Sequence, residues 1–213
     1  MRTAPTRAER QVRTRTELID AAERLFSANG FHSTSLDAVA DSAGYTKGAV
    51  YSNFSSKEDL FFAVYERRVE QHLEHIGPRI AGSDDVIEGV LGVIAEVANR
   101  REQDDGWLAV FFEFWTHVLR HPEHRERFAA IHSRGADPFV SALERFAAER
   151  EIELPLDPRE LAVSFFAMGT GLSLEQLTQP DVVDARVAVG VQRLMFDLLE
   201  ARDGSGLPTQ AAR

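Results

Sequence analysis

Residues 43–60, AGYTKGAVYSNFSSKEDL, decide how the chain reads. Gly44 and Gly48 stand four residues apart with Thr46 and Lys47 between them. A phosphate-binding loop of the GxxxxGK[ST] kind fails at once, because Lys47 precedes its glycine and no strand leads in. What remains is a tight turn that launches a short helix. Gly44 supplies a backbone conformation that a side chain would strain. Thr46 caps the helix and leaves its first-turn amides pointing outward, a natural phosphate site to which Lys47 adds a full charge. Gly48 costs about 1 kcal/mol relative to alanine inside a helix, and lets the helix press against a neighbouring backbone. Tyr51 reaches outward through its hydroxyl, Val50 and Phe54 face the core, and Lys57 opens the next helix. Two short helices joined by such a turn match a helix-turn-helix, which presents its second helix to a major groove. The same residues also fit a capped surface turn between an ordinary helix pair.

Charge is distributed in a way that suits the first reading. The chain of 213 residues carries a net charge of −10, which by itself argues against nucleic acid. Yet residues 1–68 hold ten Lys/Arg against nine Asp/Glu, and the remainder fourteen against twenty-five. Arg2, Arg7, Arg10, Arg13 and Arg15 face only Glu9 within the first fifteen residues. A basic arm, a neutral first domain and an acidic body follow, so a polyanion meets only the first domain. The arm fits a solvated, disordered tail equally well. Apolar stretches are too short to cross a bilayer and no hydrophobic signal follows the basic N-terminus, so the chain is expected to be cytoplasmic with no membrane partner. With no cysteine, disulfides and thiol chemistry are excluded.

Helical spacing runs almost throughout, without a convincing alternating strand, and predicts nine helices. Leu18, Ile19, Ala22, Leu25 and Phe26 share one face of the first, which Gly30 closes in a left-handed cap. Thr34 is expected to cap the second, with Asp37 returning the bond. Ser55 and Ser56 cap the fourth, which Gly77-Pro78 ends. Further helices are expected over 84–101, 106–120, 122–150, 157–178 and 184–201. The division predicted is 1–60 for the arm and helix-turn-helix and 61–213 for a helical body, with a long linking helix over about 57–76.

LIDAAERLFSANGF followed by TSLDAVADSAGYTKGAVYSNFSSKEDL resembles the DNA-binding domain of the tetracycline-repressor (TetR) family over residues 14–62, in that family's order and spacing. The resemblance implies an all-α homodimer with an N-terminal three-helix DNA-binding domain and a C-terminal helical domain for ligand binding and dimerisation. It implies duplex operator DNA and a small-molecule effector as partners, and a regulator, most often a repressor, rather than an enzyme. By position it places Thr34, Thr46, Lys47, Gly48, Ala49, Tyr51, Ser52, Asn53 and Lys57 against DNA. Asn53 stands where many members have histidine, which leaves base preference open. The rival is an all-helical small-molecule-binding protein with no DNA role.

In the body, WLAVFFEFW at 107–115 holds five aromatics in nine positions. Trp107, Phe111, Phe114 and Trp115 share a stripe that fits either plain core or the wall of an apolar ligand cavity. Glu113 is an acid in the middle of this run and needs a partner. His117, one turn on, is the expected one and joins the candidate ligand site; a cationic ligand is the other reading. Glu113, His117 and His121 also fall at four-residue steps that suit a metal, but a solvated polar edge is the reading adopted, with no metal and no cofactor. No GxSxG elbow or HExxH helix is present, and no catalytic set is proposed. Phe165, Met168, Gly169 and Leu172, then Val187, Val191, Leu194 and Leu198, form two apolar stripes that either cover a core or, as in the resembled family, build a dimer interface.

Overall fold

The computed structural model describes residues 6–101 and 106–203, all-helical with no strand among them. The helices are α1 (Arg7–Asn29), α2 (Leu36–Ala43), α3 (Lys47–Tyr51), α4 (Lys57–Ala81), α5 (Val86–Arg101), α6 (Trp107–Arg120), α7 (Arg125–Arg134), α8 (Asp137–Arg150), α9 (Pro158–Thr178) and α10 (Ala185–Asp203). A 3₁₀ turn, Pro122–His124, precedes α7. Three boundaries depart from expectation. The basic arm is helical from Arg7, because Thr6 and Glu9 form a reciprocal capping box there, while Arg2 lies outside the described residues. Helix α4 continues through Gly77-Pro78 into its last turn. Its end is met by the Arg145 guanidinium, which donates to Ser83 O at 2.7 Å, Asp84 O at 3.1 Å, and Ile80 O and Ala81 O at 3.4 Å. The single helix expected over 122–150 breaks around Gly135 and Ala136, ahead of Pro138 in the first turn of α8.

Among the described residues, 6–69 and 106–131 form one compact unit, and 70–101 with 132–203 a second. A single cut near residue 60 therefore does not follow the packing, because α6 belongs with α1 to α3. The reason is aromatic. Phe61 of α4 stacks on Phe114 of α6 at 4.0 Å and on Trp107 at 5.4 Å, while Phe31 meets Phe114 edge-on at 4.9 Å. Phe26 joins from α1 at 5.2 Å from Phe61. All four phenylalanines are fully buried, each such burial being worth about 1.5–3 kcal/mol. Further along α4, Arg67 pairs with Asp20 and Glu23 of α1, and Arg68 with Glu23.

Glu113 is held otherwise than expected. Its carboxylate accepts the backbone N–H of Phe31 at 2.8 Å and of His32 at 2.9 Å, while His117 turns toward Glu58. Gly30 precedes these amides with φ 83° and ψ 168°, positive but outside the left-handed helical region expected of its cap. A Cβ there would meet Glu113 Oε2 at 2.8 Å.

The second unit centres on Phe146, Phe165 and Phe196, with ring centroids 5.0–5.1 Å apart. Phe165 is thus interior, which corrects its place on an outward stripe. Met168, Gly169 and Leu172 are half-buried, and the latter two line a cavity. The outer face of α9 carries Val163, Ala167, Gly171 and Leu174 instead. On α10 the expected stripe is the outer one: Leu194 is 56% and Leu198 62% exposed, with Val187 and Val191 half-buried beside them.

Replacing Glu113 by alanine removes a charged acceptor from two amides, each such bond contributing about 1.5–3 kcal/mol. Urea unfolding of Glu113→Ala is expected to show a loss of at least that size, and an unchanged midpoint would mean that water serves the two amides equally well.

Candidate functional site

The reading candidate is built from α2, its turn and α3. Ser35, not Thr34, caps α2 by accepting from Ala38 N–H at 3.1 Å. Thr34 is buried and donates to Gly30 O at 2.8 Å and Leu25 O at 3.2 Å, so it cannot face a ligand. Gly44 ends α2 at φ 73° and ψ 27°, the left-handed conformation expected of it, with nothing near its missing side chain. Thr46 then caps α3 by accepting from Ala49 N–H at 3.3 Å. Val50 and Phe54 are buried, whereas Thr46, Lys47, Gly48, Tyr51 and Ser52 are exposed and Ala49 is half-buried.

A Cβ on Gly48 would find only Thr46 Oγ1, at 3.9 Å. The protein's own packing therefore gives no reason for glycine in this helix. Tyr51 is 58% exposed, unusual for an aromatic beside a core. Lys47 pairs with Asp37, whose hydrogen bond and charge hold its pKa above the ordinary lysine value. Asn53 is turned back: its side-chain amide donates to Ala49 O at 2.8 Å, and its own carbonyl accepts from Arg15 at 3.0 Å. Arg15 also lies over the Phe54 ring at 4.4 Å, so this arm residue holds the end of the α3 turn, a role its place in the sequence did not show. Lys57 is likewise occupied. Its ammonium donates to Phe31 O at 2.8 Å and His32 O at 3.1 Å, and burial pushes its pKa down. Its expected place against DNA gives way to a structural one.

The second unit holds a cavity of about 80 Å³, lined by residues from α4, α5, α8, α9 and α10. Its wall is mostly apolar, with Phe165, Phe166, Leu172 and Val97, and its polar members are His72, Thr170 and Gln192. Gln192 is 2% exposed. Its amide N–H donates to Phe165 O at 3.0 Å, which orients the side chain and leaves Oε1 buried without a partner. Such an orphan acceptor costs about 1–3 kcal/mol, and a ligand or water carrying a donor would relieve it. Nearby, burial holds His132 down to about 4, so its ring is neutral at ordinary pH.

None of Trp107, Phe111, Phe114, Trp115 and His117 lines this cavity. Phe114 and Phe111 are core of the first unit, Arg68 lies over Trp107 at 4.4 Å, and Trp115 packs on Phe128 at 5.3 Å. Nothing local in WLAVFFEFW distinguishes a core stack from a cavity wall. The cavity's polar signature, Gln192 inside an apolar stripe of α10, was legible as a misplaced amide.

The model of bacterial regulatory proteins of the tetR family matches residues 18–64, and that of the BetI-type transcriptional repressor C-terminal domain matches 87–201. The transcriptional regulator TtgR of Pseudomonas putida is 30% identical over 183 residues, 80% of this chain and 83% of its own length. The transcriptional activator FasR of Mycolicibacterium smegmatis is 27% identical over 135 residues, 63% of this chain, so the match spans about half of that relative, 53%. Salmonella enterica GusR shares the fold, with a TM-score of 0.73 and 22% identity over 89% of this chain and 96% of its own. No described helix is long and apolar enough to cross a membrane. With its two halves each matched by the corresponding model, the chain belongs to the TetR family of transcriptional regulators.

Proposed function

We propose that the chain acts as a homodimeric repressor that reads a two-fold duplex operator through α3 and is released by a small amphipathic molecule. The observation that carries the DNA reading is Gly48, a helical glycine facing open space between exposed Thr46, Lys47 and Tyr51. An amide-lined helix start beside an ammonium suits phosphate, and a missing side chain suits the closest approach of a backbone. Repression, rather than activation, is supported by the description of the C-terminal model. The second-unit cavity supports the effector: about 80 Å³ takes a compact molecule, and the Gln192 carbonyl can accept from a donor on it. Helix α4 supplies Phe61 and Val64 to the first core and His72 to the cavity lining. Coupling of about 1–3 kcal/mol is the usual range for such a device.

The dimer reading rests on the outer stripes of α9 and α10, which leave Leu174, Leu194 and Leu198 in water in one chain. A two-fold partner presenting the same stripes would cover them. Leu194→Glu is expected to sediment as a monomer with its helical content intact, whereas Phe165→Glu loses the fold of the second unit. A folded monomer of the unaltered chain at micromolar concentration would exclude the interface.

For DNA, duplexes enriched from a random pool by the protein serve as probes in fluorescence anisotropy. Gly48→Ala is expected to raise thermal stability, by about 0.5–1 kcal/mol, while weakening duplex binding. Lys47→Ala is expected to flatten the salt dependence by about one unit of slope. Unchanged duplex affinity in Gly48→Ala would remove α3 from the interface.

A further inference from the structure

Three elements of the first unit bring metal-ligating side chains to one place. Glu58 stands in the first turn of α4, His117 in the last turn of α6, and His124 in the 3₁₀ turn. One ligand atom from each lies within 4.8 Å of the others. Glu58 Oε1 is 3.6 Å from His117 Nε2, too long for a hydrogen bond, and that nitrogen is buried without a partner. Tetrahedral zinc with bonds of about 2.0–2.1 Å holds its ligand atoms about 3.3 Å apart, so the group needs only small side-chain rotations to close. The four-residue spacing of Glu113, His117 and His121 is not what assembles it. Glu113 is committed to the Phe31 and His32 amides, and the His121 ring stacks on His117 at 4.1 Å.

We propose that Glu58, His117 and His124 form a binding site for a divalent transition ion of the zinc class. Two imidazoles and one carboxylate suit such an ion, whereas magnesium and calcium require several oxygen ligands. The bound ion has three protein ligands and one position for water, and joins the first turn of α4 to α6 and the turn after it.

The test is calorimetric titration of zinc chloride into the chelator-treated full chain, with thermal unfolding in parallel. One tight zinc per chain is expected, with a midpoint that rises with zinc and not with magnesium chloride. His117 packs on Phe31 and Phe114, so its replacement can disturb the core. Glu58→Gln and His124→Ala avoid that difficulty, and each is expected to weaken zinc by more than the roughly 10- to 100-fold typical of residues that merely support a ligand. His121→Ala leaves binding in place. Cobalt(II) in place of zinc gives the intense visible absorption of a four- or five-coordinate ion, lost in His124→Ala. Absence of saturable zinc binding, an equal response to magnesium, or affinity untouched by both Glu58→Gln and His124→Ala overturns the site. A midpoint that follows pH and ignores zinc also overturns it, and makes the cluster a proton-responsive one. These readouts do not involve DNA, so they stand or fall separately from the operator reading.

Discussion

Glu113 and the loop it grips set the arrangement of the DNA-reading candidate. A carboxylate amid the aromatics of α6 needs donors, and the amides of Phe31 and His32 supply them at 2.8 and 2.9 Å. The same two residues offer their carbonyls to Lys57, and Gly30 offers its carbonyl to Thr34. Both polar edges of one short loop are thereby satisfied by side chains from three different segments. That loop decides how α2 leaves α1, and α3 follows α2 through a turn fixed by Gly44. The exposed residues of α3 are therefore presented by a scaffold that includes α6, some sixty residues away in sequence.

Local chemistry in the sequence was enough for the turn, the caps of α3 and α4 and the inward residues of α1 to α3, though it put Thr34 rather than Ser35 at the cap of α2. Gly44, Thr46, Val50 and Phe54 stand where their side chains and spacing put them, because each obeys a rule that operates over a few residues. What escaped was non-local. Glu113 has partners more than eighty residues away, and the nearer His117 looked sufficient. On α9 the apolar residues run around most of the helix, so periodicity cannot tell the interior Phe165 from the outer Val163 and Leu174. The break before Pro138 was hidden because apolar spacing continues across it. Lysine at 57 and threonine at 34 had the right chemistry for a polyanion, but intramolecular carbonyls claimed both.

The exposed face of α3 has no packing reason for its glycine, and the cavity wall has an amide oxygen with no donor. The first leaves room on that face for a close approach, and the second can be served by a ligand or a water carrying a donor. Helix α4 contributes residues to the core behind the first and to the lining of the second. Under the proposed function, a ligand that binds the cavity more tightly in the absence of duplex DNA weakens DNA binding, and DNA weakens the ligand by the same free energy.

Native-state hydrogen exchange tests most directly whether α6 is a working part of the reading scaffold. The amides of Phe31 and His32, of α2 and α3, and of central α6 are predicted to share one opening free energy in the unaltered chain, and to fall together in Glu113→Gln. Exchange of α6 with the helices of the second unit, leaving α1 to α3 protected as before, would contradict the account.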